Sequence, residues 1–387
     1  MNPLQLILAA AISVGIPLVF LTIIYTLDLY ASRTFRLVLI SFAWGAIGGV
    51  GLSYLFNSYV AVPLIQRLNL DYLFLFVLFA PFAEELLKAV SLIYISRHPD
   101  FTYFVDGAIY GFAAGIGFSI TENFLYISRH PQTAVPLALV RAFSTCLMHG
   151  TAAGLVGAAV GRFRFQRRSS RGLAVVVGAI TAIGLHAAFN AVSQIDLVSD
   201  ALVTPIAVGI GLLGVGLIGY FINQGLQEEG QWMVETLDRK INVSAAEARA
   251  ARSFGTVDEL LEPIAEQFPE KAEQVEALLL RQAQLGIKSK VLQKVEAPAT
   301  RQKLEQDIKT LRSEMEELRH QIGPYVMIYV RSVFPEGAFN IWNNLELLAA
   351  RHGPADLQRW AKMLQPKADT TPARSIFDRI GADRDEG

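Results

Sequence analysis

The sequence predicts an all-α fold: a polytopic membrane helix bundle of about seven transmembrane helices with a C-terminal soluble helical domain. Three observations predict it. Hydrophobic residues make up 52% of the 387-residue chain, charged residues only 18%, and mean hydropathy is +0.36, too apolar for an ordinary soluble protein. Charges are sparse in the first 225 residues and crowded after them. Apolar stretches of spanning length follow one another at about 3–27, 37–61, 72–96, 105–127, 135–160, 172–195 and 201–223. The chain is therefore expected to divide into a transmembrane domain (1–225), a cytoplasmic helical domain (226–366) and a tail (367–387) whose Arg, Asp, Pro and Thr content predicts disorder.

The first stretch lacks a basic n-region and is longer than a signal-peptide core, so it is read as a retained span. Between the fifth and sixth stretches lies Arg162-Phe-Arg-Phe-Gln-Arg-Arg-Ser-Ser-Arg171, rich in arginine and free of acids, whereas the next connection holds Asp196 and Asp200 and no base. The positive-inside rule makes the arginine loop cytoplasmic. Alternation then places Arg33, Arg36 and Arg97 inside, leaves Arg67 and Arg129 outside, and puts the N-terminus outside the cell (inner) membrane with the C-terminal domain in the cytoplasm. The fourth span carries Gly107-x-x-x-Gly111-x-x-x-Gly115, and the fifth Gly150-x-x-x-Gly154 and Gly157-x-x-x-Gly161, small residues at the spacing that lets helix backbones approach closely.

In the soluble domain, Leu304, Ile308, Leu311, Met315, Leu318 and Ile322 recur at spacings of four and three. They form a short heptad segment, about 301–322, more often an intramolecular hairpin than a dimeriser at this length, although partner binding or self-association is open to it. An apolar-aromatic block from Tyr325 to Ala350, with Phe334-Pro335 and Trp342, is expected to complete a small helical core. The net charge of −1 singles out no partner, and no nucleic-acid partner is expected. The single Cys146 excludes an intrachain disulfide and a metal site built from cysteines.

The chemistry concentrates in Phe79-Ala-Pro-Phe-Ala-Glu-Glu-Leu-Leu-Lys88, inside the third stretch. An ionised residue at the centre of a spanning helix costs roughly 2.5 to 3.5 kcal/mol, so Glu84, Glu85 and Lys88 need compensation or a use. Lys88 follows Glu84 by four residues and Glu85 by three, within reach of at least one carboxylate on a helix. One lysine cannot neutralise two carboxylates, so one glutamate is expected to stay ionised beside Lys88 while the other carries a proton, supplying an acceptor and a donor together. An ion pair that merely fixes bundle geometry is the plain alternative.

Glu122 stands in the fourth span, His149 in the fifth, and His186 with Asn190, one turn apart, in the sixth. At 1.5 Å per residue, Glu84 and His149 lie roughly 18–20 Å from the outer end of their spans, His186 roughly 14 Å, and Glu122 and Asn190 roughly 8 Å. Successive helices thus present acid, imidazole and amide at depths that fit one cavity. Such a set suits hydrolysis: a glutamate takes a proton from water while imidazole or amide N–H groups stabilise the oxyanion. Ser119 and Cys146 lack a base partner of their own. Zinc held by Glu85, His149 and His186 is the alternative mechanism, although the His-Glu-x-x-His and His-x-x-Glu-His spacings are absent.

Taken together, Glu84-Glu85-x-x-Lys88, Phe118-x-x-x-Glu122 with Asn123 and Tyr126, His149, and His186-x-x-x-Asn190, in this order on consecutive spans, resemble the PrsW family of intramembrane proteases over roughly residues 1–225. That family is similar in turn to the CAAX prenyl endopeptidases and the bacteriocin-processing membrane proteases. The resemblance implies cleavage of a membrane-anchored protein substrate near the outer part of the membrane, such as an anti-sigma-factor-like regulator, with no obligatory cofactor. It also implies Glu84 as base with Glu85 supporting it, His186 and Asn190 as the oxyanion site, and Lys88, Phe118 and Asn123 in support. The CAAX enzymes have a histidine where this chain has Glu122, which leaves open whether His149 or a metal takes that place.

Two other classes compete with a peptidase. Buried Glu, Lys and His also build the relays of proton-coupled transporters, which inverted repeats would favour, but the halves show no clear self-similarity. A non-catalytic scaffold acting through the soluble domain is the third.

Overall fold

The computed structural model describes residues 3–28, 35–165, 168–193, 200–237, 257–295 and 297–333, and every regular element among them is helical. The expectations for Arg33, Asp196, the block from Phe334 onward and the tail 367–387 fall outside the described residues.

Helix α1 (Pro3–Thr26) is followed by a long helix α2 (Phe35–Leu68), which contains two π turns, Trp44–Gly49 and Asn57–Ala61. Asn69, in the left-handed region at φ 51°, ends α2 by returning its N–H to Gln66. A third π turn, Leu75–Phe79, leads into α3 (Ala80–Ile95). Then come α4 (Phe104–Arg129), the short α5 (Ala134–Phe143), α6 (Thr145–Arg162), α7 (Arg168–Val192) and α8 (Asp200–Leu237).

Among the described residues, six segments are long and apolar enough to cross a membrane: Pro3–Thr26, Phe35–Leu68, Phe104–Arg129, Pro131–Arg162, Gly172–Val192 and Thr204–Glu229. The chain is a multi-pass membrane protein. The third expected span is missing from that set for a physical reason, since Glu84, Glu85 and Lys88 make it too charged. It is nonetheless helical from the π turn at Leu75 to Ile95, with those three side chains buried and Phe82, Leu86, Val90, Ile93 and Tyr94 on its outer side. The fifth span is interrupted: Ser144, at φ −113° and ψ −80°, separates α5 from α6.

Helix α4 is the axis of the bundle and is buried at every position from Phe104 to Ile120. Its glycines explain how. A Cβ at Gly111 would strike the backbone of Ala153, and one at Gly115 the backbone of His149, so α4 and α6 meet backbone to backbone. On the other side of α4, Gly117 meets Phe42, while Gly45 in the first π turn of α2 meets Ala114. These approaches bring α2 and α6 to the two flanks of α4 and carry His149 to the level of α3.

Beyond the membrane helices, α9 (Val257–Gln267), α10 (Ala272–Lys294), α11 (Pro298–Ile322) and α12 (Pro324–Val333) follow. Helices α10 and α11 form an antiparallel hairpin, with Arg281 on Glu314 at 2.6 Å and Lys288 on Asp307 at 2.7 Å. The heptad residues Leu304, Ile308, Leu311, Met315 and Ile322 are buried in this packing, so the seam is covered within the chain. The expected boundary at 225–226 falls inside α8, which runs unbroken to Leu237 and packs on α10.

Replacing Gly111 by leucine should force α4 and α6 apart and cost about 1–3 kcal/mol, as overpacked sites do. Gly184→Leu, where nothing lies within 4 Å, should change stability by less than about 0.5 kcal/mol. Thermal unfolding of both variants in detergent checks the contrast.

Candidate active site

On α3, positions 84, 85, 88, 91, 92 and 95 fall on one helical face and are buried, while Phe82, Leu86, Val90, Ile93 and Tyr94 face outward. The membrane-facing side is therefore paid for by ordinary hydrophobic residues, and the charges point at α4, α6 and α7. Lys88, with no exposed surface, donates to Glu85 Oε1 at 2.6 Å and sits 2.8 Å from His149 Nδ1. Its ammonium also lies 4.5 Å from the centre of the Phe118 ring. Glu85 Oε1 meets His186 Nδ1 at 2.9 Å, and the two imidazoles stand edge to face with centroids 4.6 Å apart. Residues expected at compatible depth thus converge on one hub, and Lys88 contacts Glu85, not Glu84.

A second group adjoins it. His149 Nε2 lies 3.3 Å from Glu122 Oε2. Arg141, on the short helix α5, donates to Glu122 Oε2 at 2.7 Å and to Asn123 Oδ1 at 2.8 Å, with its guanidinium 3.8 Å from the centre of the Tyr126 ring. The Asn123 amide in turn donates to Cys146 Sγ at 3.1 Å, which gives that cysteine a structural role.

Three carboxylates therefore meet two permanent cations, and the distances say which is left over. Glu85 has Lys88 and Glu122 has Arg141. Glu84 is buried, its nearest basic atom is His186 Nε2 at 3.9 Å, and its Oε2 has no hydrogen-bond partner among the described residues. An ionised carboxylate in that setting needs a proton or a cation. Among the described residues, one group of side chains offers three ligand atoms within 4.8 Å of one another: Glu84, His149 and His186. Glu84 thus stands where the zinc set expected from the sequence has Glu85, whose Oε1 is engaged by Lys88 and His186 while its Oε2, like that of Glu84, has no hydrogen-bond partner among the described residues.

These side chains line a cavity of about 460 Å³, bounded by α2, the π turn before α3, α4, α6 and α7. Glu84, Glu122, His149, His186 and Asn190 all reach it. Asn190 does so differently from expectation: its Nδ2 donates to the Phe76 carbonyl at 2.8 Å, in the π turn, one helical turn from His186. Arg141 was absent from the sequence reading. The signal existed, since an arginine inside an apolar stretch is as costly as a glutamate, but the break at Ser144 that aims it at Glu122 has no obvious mark in the sequence.

Residues 33–220 match the family model described as PrsW family intramembrane metalloprotease. Protease PrsW of Bacillus subtilis (strain 168) is 29% identical over 187 residues, covering 48% of this chain and 81% of that protein. No solved structure matches the chain.

Lys88→Met should leave the Glu85 carboxylate buried without a countercharge and cost about 3–5 kcal/mol. Adding Glu85→Gln should recover part of that loss, so the double variant should unfold at a higher temperature than additivity predicts. Thermal unfolding of the three variants closes the cycle.

Proposed function

We propose, from the premise that this chain belongs through residues 33–220 to the PrsW family of intramembrane proteases, that it cleaves a membrane-anchored protein by divalent-metal-assisted hydrolysis at Glu84, His149 and His186. The single observation that carries the reading is the orphaned carboxylate of Glu84 beside two imidazoles in a membrane-level cavity. The donor set fits zinc, which takes two histidines and a carboxylate in open catalytic sites. When bound, the ion would polarise the scissile carbonyl and acidify a water molecule.

The protein's own groups do the rest. Glu85 accepts from His186 Nδ1 and is itself held by Lys88, which orients that imidazole with Nε2 toward Glu84. Glu122, on the cavity wall and kept in place by Arg141, is the remaining carboxylate within reach: it takes the proton of the attacking water and returns it to the leaving amide nitrogen. A second reading needs no metal and makes Glu84 itself the base, favoured by an Oε2 without a hydrogen-bond partner among the described residues. In either, the arginine loop points to a cytoplasmic C-terminal domain and a cavity toward the outer half of the membrane, where an anti-sigma-factor-like anchored regulator is a fitting substrate.

Cleavage of a co-expressed single-span substrate by the purified protein tests this. Glu84→Gln and His186→Ala should abolish cleavage and lower bound zinc, measured by elemental analysis. Glu122→Gln should keep the metal while losing on the order of 10²–10⁴ in kcat. Chelation should inactivate the wild type and zinc restore it. Full activity in chelator, with Glu84→Gln inactive, would replace the metal reading by the second one.

A further inference from the structure

Cutting a peptide bond in a membrane helix requires local unwinding, and unwinding strips backbone N–H and C=O groups of their partners where water is scarce. An enzyme that does this must offer replacement donors and acceptors. Unsatisfied polar atoms on the cavity wall carry the same penalty while the cavity lacks substrate, so they mark where such replacements sit.

The wall of α2 has two. Ser53 is 3% exposed, and its hydroxyl has no hydrogen-bond partner among the described residues. Asn57, one turn further on at the start of the second π turn, has a buried Oδ1 in the same condition. Both line the cavity that holds Glu84, His149 and His186. Elsewhere Thr22, Ser128, Thr181 and Ser193 each return their hydroxyl to a carbonyl three or four residues earlier. The buried hydroxyls of Ser13, Ser41 and Thr151 also have no hydrogen-bond partner among the described residues, but these residues do not line the cavity, and Ser53 and Asn57 are set apart by doing so. Across the cavity, Asn190 already holds the Phe76 carbonyl and is not free in the same sense.

The spacing fits a particular ligand. Four residues along a helix advance about 6 Å, and two residues along an extended strand advance about 6.6–6.8 Å, bringing round the next backbone group that faces the same way. We propose that Ser53 and Asn57 form a backbone-binding edge that receives the extended, unwound segment of the substrate beside the scissile bond, Asn57 Oδ1 accepting a substrate N–H and the Ser53 hydroxyl pairing with the next group on that side. Both act as positioning residues, since neither touches the reacting atoms. The inference rests on the protease reading of the same cavity.

The test measures affinity on full-length Glu84→Gln protein in liposomes, with a synthetic single-span peptide carrying a fluorescence donor and spanning the mapped cleavage site. Ser53→Ala and Asn57→Leu should each weaken binding by roughly five- to tenfold, the loss of one hydrogen bond, and Ser53→Thr, which keeps the hydroxyl, should bind as the parent does. A scan replacing single substrate amides by esters removes one N–H at a time. One ester position should weaken binding to the parent and add nothing in Asn57→Leu. Unchanged affinity in both variants, or ester losses that are additive with Asn57→Leu at every position, would overturn the proposal. Should Asn57→Leu fail to fold, the Ser53→Ala and Ser53→Thr pair decides by itself, equal affinity counting against the proposal. Cleavage by Glu84→Gln at the wild-type rate would instead refute the catalytic reading, and the affinity comparison would stand apart from it.

Discussion

The arrangement of the site depends on a buried ammonium. Lys88 has no exposed surface, yet its Nζ touches Glu85 and His149 and faces the ring of Phe118. Removing a charge from water is tolerable only if it is paired and its donors are used, and three helices meet that demand: α3 through Glu85, α4 through Phe118 and α6 through His149. The pairing with Glu85 has a second effect. With Glu85 engaged by Lys88 and His186, the neighbouring Glu84 is the carboxylate without a countercharge, and so the one able to react or to take a metal.

That hub exists only because α4 and α6 touch at the backbone. Any side chain at Gly107, Gly111 and Gly115, alanine included, would hold α6 away and carry His149 out of reach of both Lys88 and Glu122. In a bilayer, where burial of apolar surface gives little drive to helix association, such close van der Waals contact does much of the work. The π turns act in the same sense. One places Gly45 against α4, another presents Asn57 to the cavity, and the third exposes the Phe76 carbonyl that Asn190 satisfies.

Much of the site was legible in advance for one reason: ionisable residues are so costly inside an apolar helix that they stand out as a use or a pairing. Glu84, Glu85, Lys88, Glu122, His149 and His186 were all visible on that ground, and all meet in the structure. Arg141 carried the same signal. Ser53 and Asn57 did not, because a serine or an asparagine in a spanning helix is common and cheap when it bonds to its own backbone. What distinguishes these two is the lack of a partner together with a place on the cavity wall, and both are properties of packing.

By itself the sequence determined the helical class, the apolar spans, the small-residue faces of α4 and α6 and the set of chemical groups, since each follows from local composition and period. It also showed that one carboxylate would exceed the available lysine. Only the tertiary structure decided which: Lys88 is four residues from Glu84 and three from Glu85, both within reach on a helix, and the choice of Glu85 comes from where α6 and α7 bring His149 and His186. Helix period alone cannot separate those two pairings. The position of the neighbouring helices can, because in a medium without water a charge settles where the most partners converge.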